Sequence, residues 1–553
     1  MTAHGAGCYT SQAAMKRWNR RNERLADAAE RAAVAAGWLG AGPYPRETLA
    51  GAWKRFLWHQ FHDDLTGTSV PEAYTHSWDD ELISLSEFAG ALGDAVGGVS
   101  TGLDTRARGV PVVVHNALSI PREDVVEADL VFEGTAPPAV RVLGPDGKET
   151  PAQVVRASGS SARVVFLARV PPLGFSVFDV RPATSAVPAV PLRVDAGGLE
   201  NERYRVTVDE RGDVSSIFDK KHSREILSAP LALQLIADEP GKWPAWEIDH
   251  DDLSAKPRAV VAGPARVRVS ESGPARVALE IGRETAGSTF VQRIRLAAGG
   301  AGDRVEIETE IDWRTPGALL KAAFPLSVES ETATYDLGLG TIERGVNRKE
   351  LYEVPAQQWA DLVSSDGSYG VAVLNDGRYG WDRPDASTLR LSLARTPAVP
   401  DSWSWVGDQR SQDLGLHRVL YALAGHAGDH RAGEVAWQAD RVNQPLAAWQ
   451  ARAHAGPLGR SFSLASVETR SGALPTVSIG ALKLAEEGEE IVVRLYERSG
   501  QKTEDANLAF ARPIAEAREI NGAEEDLDAA ARTDAPAFRL EKAGTAAVEV
   551  RLP

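Results

Sequence analysis

A single cysteine, Cys8, stands in 553 residues. No intrachain disulfide can staple this fold, and the usage agrees with a reducing compartment. No apolar run is long enough to cross a bilayer, and the N-terminal MTAHGAGCYTSQ lacks the apolar stretch of a secretory signal. A membrane partner is therefore not expected, and the chain reads as cytoplasmic. Basic clusters are also missing. Lys and Arg number 61 against 77 Asp and Glu, a formal net charge of -16, which argues against nucleic acid as a partner. The motifs that would name a reaction at sight are absent too: there is no P-loop, no GxGxxG after a strand, no HExxH, no GxSxG elbow and no paired CxxC. No repeat of fixed period points to a solenoid or propeller.

What is present is ordinary for a globular protein, with 43% hydrophobic and 25% charged residues. The length exceeds what one hydrophobic core sustains, so three or more domains are expected. The first hundred residues are helical in pattern. Ser11 to Gly37 is rich in Ala, Arg and Glu, has apolar positions at helical spacing, and ends on glycine. A second helix is predicted from Pro45 or Thr48 to His62, with Trp53, Phe56, Leu57 and Phe61 as its apolar stripe. SVPE announces a third. Ser69 is the expected cap with Glu72 reaching back, Pro71 sits in the first turn, and the helix runs through Trp78, Leu82 and Leu85 to about Leu92.

After Gly97 the period changes to two. VPVVVHNA, EDVVEADLVF, ARVVFLARV and GFSVFDV read as strands. The proline-rich RPATSAVPAVP, from Arg181 to Pro191, reads as a linker. Beyond it, a hairpin is predicted around DERGD, another in ARVRVSESGPARVALEIGRE, and further strands in GDRVEIETEID, IVVRLYER and AAVEVRLP. The fold class is α+β: an N-terminal three-helix bundle at residues 1–100, followed by predominantly antiparallel β-sandwiches. The β-regions divide into a small sandwich at 108–185, a large β-region at 192–450 and a C-terminal β domain at 455–553.

Four stretches carry candidate chemistry. In HQFHDDLTGTS, His59 to Ser69, a helix would put His59 on one face with His62 and Asp63, so the three could share a site. The spacing fits equally well a histidine favoured by the dipole at a helix end and aspartates bonding a turn. WPAWEIDHDD, Trp243 to Asp252, sets two tryptophans and four acids around one histidine, a composition that stacks sugar rings and bonds their hydroxyls, or that merely packs beneath a loop. NDGRYGWD reads most simply as a turn, with Asp376 and Gly377 at its positive-φ positions. HAGDH, His426 to His430, is a weak metal pair, and short polar loops of this kind are usually neither buried nor bound.

FLWHQFHDDLTGTSVPEAY resembles the helix and turn of α-mannosidases in glycoside hydrolase family 38, and the resemblance continues in order through HNALSIPREDVV, LENERYRVTVDERGDVSSIFDKKHSREIL, WPAWEIDHDDL, IDWRTPGALLKAAFPL, VPAQQWADLVSSDGSYGVAVLNDGRYGWD and LHRVLYALAGHAGDHR. It implies a retaining, zinc-dependent enzyme of three parts: a catalytic barrel, a three-helix bundle and a β-region with a mutarotase-like supersandwich. It further implies that His62 is a zinc ligand, that Asp63 touches substrate hydroxyls, and that His59 is not a ligand. The family's remaining zinc ligands, nucleophile and acid/base carboxylate belong to the barrel, so this chain is expected to supply an incomplete zinc site and no catalytic residue, and to be inactive without the barrel. The implied partners are a mannose-containing glycan and, if the chain is not a truncated reading of a longer gene, a separately encoded catalytic barrel; the complete enzyme is expected to be a homo-oligomer. The alternative reading is a non-catalytic carbohydrate-binding or scaffold protein derived from such an enzyme.

Overall fold

The structure is a computed structural model that describes residues 5–185, 192–399, 412–469, 474–501, 503–514, 516–525, 537–540 and 545–551. Three helices come first: α1 (Ala13–Trp38), α2 (Arg46–Trp58) and α3 (Pro71–Gly102). The alanine run of α1 is what lets the bundle close. Ala29, Ala32 and Ala36 are buried and admit Phe56 of α2 and Phe88, Leu92 and Val96 of α3. The same core runs on into Val113 and Phe175 of the first sandwich and into Ile479 and Val493 of the last, so the bundle is seated on both.

The helix boundaries differ from the sequence reading in three places. α2 stops at Trp58 instead of reaching His62, because His59 turns inward and the chain folds back over it. Leu57 and Phe61, expected in the apolar stripe, are exposed while Phe56 is buried. α3 starts with Pro71 in its first turn as expected, but Ser69 makes no side-chain cap, and the helix continues to Gly102 past four glycines. By length and composition α3 is long and apolar enough to cross a membrane, contrary to the expectation of no such run. Here its Phe88, Leu92, Val96 and Val99 face the bundle core.

Strand pairings among the described residues are antiparallel. The four strands read after Gly97 form as Val110–Asn116, Arg122–Val131, Ser161–Val170 and Gly174–Ala183. Residues 186–191 of the predicted linker lie outside the described residues. Two strands from far along the chain return to this sandwich: Ala447–Gln450 pairs with Val110–Asn116, and Ser461–Ser463 with Gly174–Ala183.

The largest unit pairs a nine-stranded sheet, which includes Arg276–Thr285, Ser288–Ala297 and Val305–Trp313, with a six-stranded sheet built around Ala318–Pro325 and Thr388–Thr396. The pattern VEIETEIDW alternates, so Val305, Ile307, Ile311 and Trp313 all point to one face and are buried there. They meet Leu235, Leu320, Phe324 and Leu391 from the other sheet in one continuous core.

This core encloses charge. The Lys321 ammonium is fully buried, with Glu353 Oε2 at 2.6 Å, Asp382 Oδ1 at 2.8 Å and Ser392 Oγ at 2.7 Å. Burial holds the Glu353 carboxyl above its ordinary range against the pull of Lys321, while Lys321 and Arg390 together outweigh burial at Asp382 and hold it low. Replacing Lys321 by Met removes the cation and strands the Glu353 carboxyl in an apolar core, while Asp382 keeps Arg390. The expected loss is about 3–5 kcal/mol of unfolding free energy, read from urea denaturation.

Candidate functional site

The chain from His59 to Ser69 is a turn clamped from inside. His59 is buried, its Nδ1 2.5 Å from Asp64 Oδ2 and its Nε2 3.1 Å from Asp80 Oδ2 on α3. The other Asp64 oxygen accepts from Ser77 Oγ at 2.7 Å. Both nitrogens of His59 and both oxygens of Asp64 are thereby occupied. With these two residues turned inward, His62 and Asp63, just ahead of Asp64, stand toward solvent: the His62 side chain is 77% exposed, and its Nε2 lies 3.3 Å from Asp63 Oδ2. Asp63 is fixed at both ends, its Oδ1 accepting from Thr68 Oγ1 at 2.9 Å and its backbone carbonyl from the N–H groups of Thr68 and Ser69 and the hydroxyl of Tyr74.

The far end of the turn docks on the segment ahead of α1. Gly67 has φ 82, and a Cβ there would come 2.2 Å from the Ser11 carbonyl oxygen, so only glycine fits. Lys16 of α1 donates to the carbonyl of Leu65 at 2.8 Å, and Gln412 to that of Gly67 at 2.9 Å. Lys16 is buried, and burial lowers its ammonium to about 7. On its opposite side the same segment meets the WPAW loop: Gly7 N–H donates to the Trp246 carbonyl at 2.7 Å and Ser11 Oγ to that of Ala245 at 2.7 Å. The structure thus brings the His62 turn and the tryptophan loop to the same short segment. Trp243 is exposed there, edge-on to Trp246 with centroids 5.7 Å apart.

The remaining candidates stand elsewhere. Asn375 and Arg378 are buried in a turn where Gly377 alone, and not Asp376, takes positive φ, and Asp382 belongs to the Lys321 cluster. His426 and His430 are both buried, contrary to the expectation for a short polar loop. His426 sits at the end of strand Gly415–Ala427 with its Nε2 2.9 Å from the buried Asp361, and His430 packs on Trp359. The sequence reading included Asp64 among aspartates bonding a turn but missed Tyr74, Ser77 and Lys16, which hold it with Asp64. The second aspartate of HDD was the available signal, since a carboxylate beside a turn finds local donors to brace it.

Among the described residues no three His, Cys, Asp or Glu side chains come together as a metal site. His62 with Asp63 offers one nitrogen and one carboxylate. A zinc ion, which takes four ligands in its closed sites, is not held by these residues alone.

Three family models match the chain: the alpha mannosidase middle domain at residues 4–86, the glycosyl hydrolases family 38 C-terminal domain at 199–402, and the family 38 C-terminal beta sandwich domain at 476–551. The sequence is 28% identical to human alpha-mannosidase 2C1 over 532 residues and 26% identical to alpha-mannosidase G of Dictyostelium discoideum over 540, covering 92% and 90% of this chain. It spans about half the length of these relatives, 46% and 47%. The crystal structure of an alpha-mannosidase from Enterococcus faecalis V583 superposes with a TM-score of 0.82 at 17% identity, over 99% of this chain and 68% of that one.

The His59 clamp carries a pH signature. Burial lowers its pKa, but hydrogen bonds to Asp64 and Asp80 more than compensate, so the folded-state value lies above the ordinary one. A raised value means that the stabilisation is complete below the unfolded-state pKa, about 6.5, and is lost as pH rises through the folded value. The unfolding free-energy difference between the wild type and His59→Gln is accordingly expected to be largest at about pH 5.5 and to shrink toward about pH 9.

Proposed function

The chain belongs to glycoside hydrolase family 38, and from that premise we propose that residues 1–553 form the bundle and β-domains of a retaining α-mannosidase that removes terminal α-mannosyl residues from glycans. In this reading His62 donates one nitrogen to the enzyme's zinc and Asp63 meets hydroxyls of the bound mannose. The observation that carries it is the division of labour between two histidines three residues apart. His59 is buried with both nitrogens engaged, whereas His62 stands in solvent with its Nε2 near Asp63 alone.

The chemistry of these side chains follows from their setting. An exposed imidazole with one ring nitrogen beside a carboxylate is oriented to turn its other nitrogen outward. Asp63 is held by Thr68 through Oδ1, and its Oδ2, 3.3 Å from His62 Nε2, has lone-pair capacity left to accept from a sugar hydroxyl. The neighbouring WPAW loop supports the same reading, because an exposed tryptophan face suits the apolar face of a pyranose. Retention needs two carboxyl groups about 5–5.5 Å apart. On this turn Asp63 alone is exposed and Asp64 is consumed by the clamp, so the reacting pair is assigned to a barrel that completes the site.

Two outcomes are expected. A purified protein of residues 1–553 should not turn over an aryl α-mannoside, and turnover that persists through purification and follows the protein peak would contradict the assignment. In an enzyme completed by a matching barrel, His62→Ala should lose zinc and activity together while unfolding as the wild type does, since the side chain packs on little. His59→Gln should instead lower stability and still take up zinc at saturating concentration. Metal content and melting temperature on both variants separate the two roles, and equal zinc loss in both would reverse the choice of ligand.

A further inference from the structure

A cleft of about 670 Å³ lies where α1, the first sandwich, the nine-stranded sheet and the segment after the helix Val435–Asn443 meet. It is far from neutral in make-up. Seven arginines line it against four carboxylates, in a chain whose net charge is -16. Some of this charge is spoken for: Arg295 is paired with Glu308, Arg276 with Glu271 and Glu127, Arg20 with Glu23, and Arg24 with Asp440 at 3.6 Å. Two places are left in surplus. Arg21, on the α1 wall, is exposed and makes no hydrogen bond or ion pair among the described residues. Elsewhere three guanidiniums converge on the carboxylate of Asp124: Arg441 at 2.8 Å and Arg304 at 3.1 Å from the lining of the cleft, and Arg122, which is not part of that lining, at 3.6 Å. Arg304 has a second partner in Glu306, and Arg122 donates through Nε to Asn116 Oδ1 at 2.9 Å, but the Arg122 side chain is 1% exposed and both its terminal nitrogens are buried without a hydrogen-bond partner.

A buried guanidinium with idle N–H groups is costly to leave so, and burial together with the repulsion of Arg441 and Arg304 pushes its pKa down to about 10 despite Asp124. An anion entering the cleft would pair with Arg21 and, through Arg304 and Arg441 on the lining, lessen the excess of positive charge around Asp124. The guanidinium fork matches the oxygens of a phosphate group, and the volume falls within the roughly 300–1,000 Å³ of small-molecule sites, which favour junctions between domains. We propose that this cleft binds an organic phosphate, with Arg21 and Arg24 of α1 reaching it from one wall and Arg304 and Arg441 from the other. The bound molecule would tie the bundle to the β-domains across the junction. The proposal does not depend on the role given to His62.

Calorimetric titration and thermal unfolding of the protein of residues 1–553, with inorganic pyrophosphate and with glucose 6-phosphate, test it. Glucose and sodium chloride at matched ionic strength serve as controls. Saturable binding of either phosphate, with a melting temperature that climbs with its concentration, is expected, and no response to glucose or salt. Arg21→Glu should weaken binding about tenfold or more without unfolding the protein, because Arg21 is exposed and unpaired. Lys148→Glu, the same charge change at another exposed position, should leave binding unchanged. The absence of saturable binding, a stabilisation that salt reproduces, or equal weakening in Arg21→Glu and Lys148→Glu would each overturn the proposal.

Discussion

The buried carboxylate of Asp64 sets the geometry on which the candidate site depends. It accepts from His59 on one oxygen and from Ser77 on the other. A carboxylate in such a place is stable only while those bonds are made; removing one leaves charge buried without a partner, a loss of several kcal/mol. The clamp ends α2 early, turns the chain outward at His62 and inward again at Asp64, and hands the backbone to Gly67, whose missing Cβ lets it lie on Ser11. The His62 side chain is placed without a hydrogen bond to the protein interior. Its placement is a by-product of its neighbours being tied down.

That turn would be no more than a local feature if α1 were free to move. The supersandwich fixes it. Asp413 accepts from the N–H of Ala13 at the start of α1 at 2.7 Å, and Arg395, buried against Asp238 at 2.7 Å, also reaches Ser11 Oγ at 3.1 Å. The WPAW loop is bound to the same residues through Trp246 and Ala245. Elements more than two hundred residues apart therefore converge on Gly5 to Ser11, and the β-core acts as the frame that registers the turn against the tryptophan loop.

Much of this was legible in the sequence, and the limits have physical causes. The alternation of VEIETEIDW and the alanine run of α1 report burial on one face, which is a local property, so strands and helices could be read directly. The end of α2 could not, because the periodicity of Trp53, Phe56, Leu57 and Phe61 continues past the point where His59 finds partners on α3. Nor could the return of Ala447–Gln450 and Ser461–Ser463 to the first sandwich, since strand pairing at that separation leaves no local trace. Resemblance to a family singled out His62 over His59. The structure adds a reason drawn from this chain alone: one histidine has its nitrogens occupied and the other does not.

The contrast between those two histidines can be measured directly by peptide-resolved diethylpyrocarbonate labelling of the protein of residues 1–553 at neutral pH. His62, exposed, should be carbethoxylated readily in the folded protein, and His59, buried between Asp64 and Asp80, should resist until the protein unfolds. Labelling of His59 as fast as His62, or protection of His62 in this protein, would contradict the account.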